Sequence, residues 1–126
     1  MTLIRLEFVL LLHEKLLAVD GGEPGIRDRG LLESALNRAE NLVAYEHPNL
    51  PSIAAVYCHG LCQNHPFVDG NKRVAFVVAA TFLEMNVYEL TATQEDALLF
   101  MLGVASSELD QALIDAWFQA NSEPKG

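Results

Sequence analysis

Basic residues are scarce in this chain of 126 residues: 8 Lys and Arg stand against 17 Asp and Glu, a formal net charge of −9. Sequence-independent binding to nucleic acid depends on Lys and Arg neutralising phosphates, so this balance argues against it. Cysteine is also rare. Cys58 and Cys62 are four apart, a helical spacing that puts both on one face and gives poor disulfide geometry. A reduced, cytoplasmic protein is the simpler reading, and two thiols without a second Cys/His pair make a weak zinc signal. The apolar start, Leu3 to Val19, is interrupted by Glu7, His13, Glu14 and Lys15 and is followed by no small-residue cleavage site, so we expect neither a signal peptide nor a membrane span. No Ser-, Gln-, Pro- or Gly-rich tract and no internal repeat divides the chain, which implies one domain over residues 1–126.

About half of the residues are apolar, 51%, and their spacing predicts an all-α fold. Residues 3–18 form a first helix, closed by the turn formers Asp20-Gly21-Gly22-Glu23-Pro24-Gly25. Asp28 is placed to cap a second helix that carries Leu31, Leu32, Ala35, Leu36 and Ala39. Between Glu40 and Pro51 the periodicity dissolves, and this stretch is read as a loop or small hairpin. Ser52 would cap a third helix burying Ile53, Ala54, Val56, Tyr57 and Leu61. Val74 to Leu83 is apolar nearly all round; its length favours a buried central helix over a strand. Asn86 would end it, with a short extended link over 87–90. Thr93 with Asp96, and Ser107 with Asp110, resemble helix starts, and Trp117 and Phe118 would close the core. His13 and His47 lack ligand partners at useful spacing and read as surface or locally bonded histidines.

Charge is unevenly spread. Residues 91–126 hold six acids against Lys125, whereas residues 61–80 hold Lys72 and Arg73 against Asp69. That positive block follows Gly70 at the predicted start of the central helix, where unpartnered amides and the positive end of the dipole make an anion site. Gly70 permits close approach of backbone to an anion, and Asn71, Lys72 and Arg73 add donors, Arg73 as a planar fork. Asp69 is a hard oxygen ligand of the kind Mg²⁺ uses beside phosphate oxygens. His65, four residues earlier, offers a side chain type suited to general-base work near neutral pH. Base, metal ligand and anion cradle within nine residues are the parts phosphoryl transfer needs, since its catalysis is mostly positioning and charge neutralisation.

The stretch His65-Pro66-Phe67-Val68-Asp69-Gly70-Asn71-Lys72-Arg73 resembles the Fic/Doc motif H-x-F-x-(D/E)-G-N-(G/K)-R at each defined position. Residues 25–36, GIRDRGLLESAL, and 82–86, FLEMN, are similar to the start of an early helix and the end of the central helix in Doc-type toxins. The resemblance implies a compact bundle of about six helices around a buried central helix. It implies that His65 deprotonates a target hydroxyl, that Asp69 holds Mg²⁺, and that Gly70, Asn71, Lys72 and Arg73 bind nucleotide phosphates. Most of the family transfers AMP and carries Gly where Lys72 stands here; the Doc branch carries Lys, which implies phosphate transfer from ATP to a protein Ser/Thr hydroxyl, with elongation factor Tu as the expected target. The longer Fic pattern ends in a second Arg, replaced here by Phe76, and Val74 stands where Doc-like sequences commonly have Thr. AMP transfer is the alternative within enzymes, and a non-catalytic nucleotide- or peptide-binding module the alternative outside them. A Doc-like toxin further implies an antitoxin whose amphipathic segment docks in a groove. By the same analogy, Tyr45 to Pro48 would form a flap over the site. Thr91 to Asp96 only partly matches the self-inhibitory helix of some Fic proteins and reads as a helix cap.

Overall fold

The computed structural model describes residues 1–126. Six helices follow in order: α1 (Leu6–Asp20), α2 (Arg29–Tyr45), α3 (Leu50–Asn64), α4 (Asn71–Met85), α5 (Gln94–Ala105) and α6 (Gln111–Ala120). Two three-residue strands, β1 (Tyr88–Leu90) and β2 (Ser122–Pro124), pair antiparallel with Glu89 opposite Glu123. The protein is all-α apart from this ribbon.

Caps explain most helix starts. Asp28 accepts from the Leu31 amide at 3.0 Å and Thr93 from the Asp96 amide at 3.1 Å, as expected of both. Two expected caps move. Asn49, not Ser52, caps α3, accepting from the Ser52 amide at 3.0 Å, which frees Pro51 for the first turn. Asp110, not Ser107, caps α6 through the Leu113 amide at 2.9 Å, and Ser107 instead turns the chain at φ +62°. The expected loop after Glu40 is also overturned: α2 runs on to Tyr45, because Leu42 and Val43 continue its apolar side against the core.

The core joins 24 residues in one cluster, and α3 and α4 share its centre. Along α4, Val74, Val78 and Phe82 with Ala75, Ala79 and Leu83 are buried, as its all-round apolarity predicts. Helix α3 packs against α2, α4, α5 and α6. Its small residues let backbones approach: a Cβ on Gly60 would stand 3.4 Å from the Cβ of Ala35 on α2. Each fully buried side chain such as Ile53, Phe82 or Phe118 contributes on the order of 1.5–3 kcal/mol. Phe118 is buried, and the Trp117 ring stacks on Phe100 with centroids 4.0 Å apart. Cys58 is buried, with its thiol facing the Met101 sulfur at 3.8 Å, and is unbridged to the half-buried Cys62.

Candidate active site

The α3–α4 connection carries the motif, and the α1–α2 loop braces it. Arg27 and Asp28 both donate backbone N–H to the Pro66 carbonyl, at 2.7 and 3.0 Å, and Val68 donates to the Gly25 carbonyl at 3.1 Å. Ile26 and Phe67 form an antiparallel bridge between the two loops. Phe67 is buried in the core cluster and anchors the loop there.

His65 ends α3 in the left-handed region, φ +50° and ψ +54°. That conformation is uncommon for a residue with a Cβ, and here a side chain from another element holds it. The Arg27 guanidinium donates through Nε to the His65 carbonyl at 2.7 Å and through Nη2 to the Asn64 carbonyl at 2.9 Å, satisfying carbonyls left over at the helix end. Arg27 thus caps α3, and Arg29 pairs with Glu33.

Gly70 precedes α4 at φ +80° with no side-chain cap on the helix, so the first amides of α4 have no side-chain acceptor. The six residues singled out in the sequence, His65, Asp69, Gly70, Asn71, Lys72 and Arg73, all line one cavity of about 600 Å³ together with Cys62, Val68 and Ala105. Their side chains are committed differently. Asn71 is 5% exposed, and its amide is fully engaged: Oδ1 accepts from the Phe67 N–H at 2.9 Å, and Nδ2 serves the Phe67 carbonyl and His65 Nδ1. Asn71 therefore shapes the loop with its side chain. Lys72 is exposed at the cavity. Arg73 lies 3.6 Å from the Asp20 carboxylate at the end of α1.

The Asp69 carboxylate accepts from the Glu23 amide at 3.1 Å and the Gly70 amide at 2.8 Å. Those two amides, Glu23 first, hold its carboxyl below the usual aspartate range, with help from the Arg73 charge. Burial pushes the Cys62 thiol up, opposed by Lys72. No group of three or more His, Cys, Asp or Glu side chains could hold a metal ion unaided.

Residues 3–83 match the profile of the Fic/DOC family. The chain belongs to the Fic/DOC family. It is 43% identical over 74 residues to the Toxin Doc of Mycolicibacterium smegmatis, a match covering 57% of each chain. It is 34% identical over 104 residues to the Protein kinase doc of Escherichia phage P1, covering 82% of each. The match thus spans little more than half the length of the first of these relatives. Within this Fic/DOC chain both the α1–α2 loop and α1 bond directly to the motif.

Three residues around the motif were not legible in the sequence as part of it. His13, expected at the surface or locally bonded, is 5% exposed and bonded across the fold: it stacks on Phe67 and reaches the Asp69 carbonyl. Its one sequence signal was helical spacing from Val9 and Leu17 on the apolar side of α1. Asp20 and Arg27 reach the motif from opposite ends of a turn whose path the sequence does not give. The expected flap is corrected: Tyr45 ends α2, and His47 and Pro48 border a groove beside Gln111 and Asp115 of α6, away from the motif. The short strands lie instead at the ends of α4 and α6. No helix is long and apolar enough to cross a membrane.

Proposed function

We propose that this protein is a Doc-like toxin that transfers the γ-phosphate of ATP to a Ser or Thr hydroxyl of a protein target in the cytoplasm, with the translation elongation factor Tu as the expected target. The observation that carries this reading is the convergence of His65, Asp69 and the uncapped start of α4 with Lys72 and Arg73 on one cavity. The names of the two relatives, a toxin and a protein kinase, support it.

In this reading the hydroxyl oxygen bonds to the γ-phosphorus as the bond to the ADP oxygen breaks, and the hydroxyl proton passes to the His65 imidazole. The amides of Asn71 to Arg73 and the Lys72 and Arg73 cations hold the phosphate oxygens, and Gly70, whose own N–H is given to the Asp69 carboxylate, lets them approach the backbone. Asp69 suits Mg²⁺ as a lone protein carboxylate: it is exposed, held in its ionised form and oriented by two amides, and Mg²⁺ commonly completes its shell with phosphate oxygens and water. Bound there, Mg²⁺ would neutralise charge on the phosphates.

Phosphate rather than AMP transfer is favoured by position 76. Phe76 is half-buried and meets Trp117 edge-on at 6.5 Å, so an apolar contact stands where the longer Fic pattern has a second cation. Control by an antitoxin is favoured by a groove of Phe76, Val77, Ala97, Leu98, Met101 and Leu102 that runs up to Lys72 and Arg73. Its apolar floor and cationic end fit an amphipathic segment carrying acids at one end.

The test is transfer of label from ATP labelled at either the α or the γ phosphate, with Mg²⁺, bacterial lysate and a His65→Ala control. Label from γ alone, lost in the control, is the expected result. Label from α would replace this reading with AMP transfer, and no label with purified elongation factors would favour a binding module.

A further inference from the structure

His13 touches the motif twice. Its ring lies parallel to that of Phe67, centroids 3.8 Å apart at 10°, and its Nε2 is 2.8 Å from the Asp69 carbonyl oxygen. A carbonyl can only accept, so Nε2 carries the proton and donates. The Asp69 carbonyl and the Gly70 N–H belong to one planar trans peptide and point in opposite directions. Drawing that carbonyl inward onto α1 therefore turns the Gly70 N–H outward, where it meets the Asp69 carboxylate at 2.8 Å on the cavity side. Gly70 has no Cβ to restrain this peptide, and a Cβ added there would stand 3.7 Å from the His13 ring. Asp-Gly is a step at which a peptide plane can turn over at little steric cost.

We infer that His13 is a positioning residue for the transfer site: its Nε2–H fixes the 69–70 peptide so that the Gly70 N–H points away from α1 and holds the Asp69 carboxylate, the proposed Mg²⁺ ligand, at the cavity. The consequence for nucleotide rests on the phosphate-transfer reading; the peptide orientation does not. Phe67 supplies the second constraint, because stacking on a ring that is itself held by a buried residue keeps the imidazole in one plane.

The experiment compares His13→Met and His13→Gln in the full chain. Glutamine can place an N–H near the position of Nε2, whereas methionine has similar length and no donor. Residual dipolar couplings of the Gly70 N–H report its orientation, and calorimetry reports affinity for ATP with Mg²⁺. We expect His13→Met to change the Gly70 coupling and to weaken ATP binding about tenfold, the scale of one lost hydrogen bond to a charged group. His13→Gln should restore most of both. An unaltered Gly70 coupling in His13→Met, or equal behaviour of the two variants, overturns the inference. Should His13→Met not fold, His13→Phe takes its place, keeping an aromatic ring on Phe67 without the donor. A wild-type chain that bound no ATP would count against the transfer reading alone, and the Gly70 coupling would still decide the role of His13.

Discussion

The Nδ1 of His65 lies 3.1 Å from the Asn71 side-chain nitrogen. The amide cannot be turned round, because its oxygen accepts from the Phe67 N–H at 2.9 Å while its nitrogen also donates to the Phe67 carbonyl at 2.9 Å. Nδ1 must therefore be the acceptor, and the neutral His65 ring carries its proton on Nε2. A ring in that state takes a hydroxyl proton at Nε2 only once its own proton has moved, or at Nδ1 only once the Asn71 bond has opened.

The first prediction follows from this tautomer. In ¹⁵N-histidine-labelled protein at a pH where His65 is neutral, its Nδ1 should show a pyridine-type shift and its Nε2 a pyrrole-type shift. Asn71→Ala should bring the two tautomers closer to equal, and a pyrrole-type Nδ1 in the wild type would refute the assignment.

Arg27 provides a second test. Arg27→Ala removes both guanidinium bonds to the end of α3. These are exposed charge-assisted bonds, so the stability loss should be about 1 kcal/mol, or roughly 3–5 °C in Tm for a domain of this size. Transfer activity should fall further than stability does, because the left-handed turn that aims His65 loses its brace. Arg27→Lys, which keeps charge without the fork, should recover stability better than activity.

The Asp20 contact to Arg73 should matter for ligand and not for folding. At 3.6 Å, with 37% and 48% of the two side chains exposed, this pair is worth at most about 1 kcal/mol. Asp20→Asn should leave thermal stability almost unchanged and lower the KM for ATP, since Arg73 no longer has a competing carboxylate. An unchanged or raised KM would show that Asp20 holds Arg73 in its working position.

Asp69 should titrate below the ordinary aspartate range. A folded-state value below the unfolded one contributes stability that is present above the ordinary carboxylate range and lost as pH falls through the lowered value. The expected contribution is small, as the group is exposed. Gly22→Ala should raise the Asp69 midpoint in a carbon-detected titration: a Cβ at φ +123° would stand 2.9 Å from the Asp69 carboxylate and 2.8 Å from Leu17, displacing the loop that supplies the Glu23 amide.

Val87 is a β-branched residue at φ +63° and 62% exposed, so it bears backbone strain while burying little. Val87→Asn or Val87→Gly should stabilise the fold by about 1 kcal/mol. Chemical denaturation checks this; a loss of stability would mean that the Val87 side chain packs more than its exposure indicates.

Local chemistry was legible wherever the responsible residues are neighbours in the chain. Asp28 and Thr93 cap their helices because a short oxygen-bearing side chain can reach amides three residues on. The motif from His65 to Arg73 could be read because its parts sit within nine residues and its glycine marks the helix start. The misreadings share one cause. Asn49 displaced Ser52 and Asp110 displaced Ser107 where two residues able to cap stand three apart, and local sequence does not say which of them the helix will use. Helix α2 continued through Leu42 and Val43 because they pack against the core cluster, a contact that periodicity over a few residues does not contain.

By itself the sequence determined an all-α chain, most of its helices, the apolar character of α4 and the set of groups at the start of that helix, since each depends on spacing along one segment. Only the tertiary structure decided how those groups are held. It placed His13 of α1 under the Asp69 carbonyl, Asp20 against Arg73, and Arg27 on the end of α3, across separations of 56, 53 and 38 residues. A hydrogen bond has a reach of about 3 Å whatever the distance along the chain, so partners this remote are set by how α1 and the α1–α2 loop pack on α3 and α4.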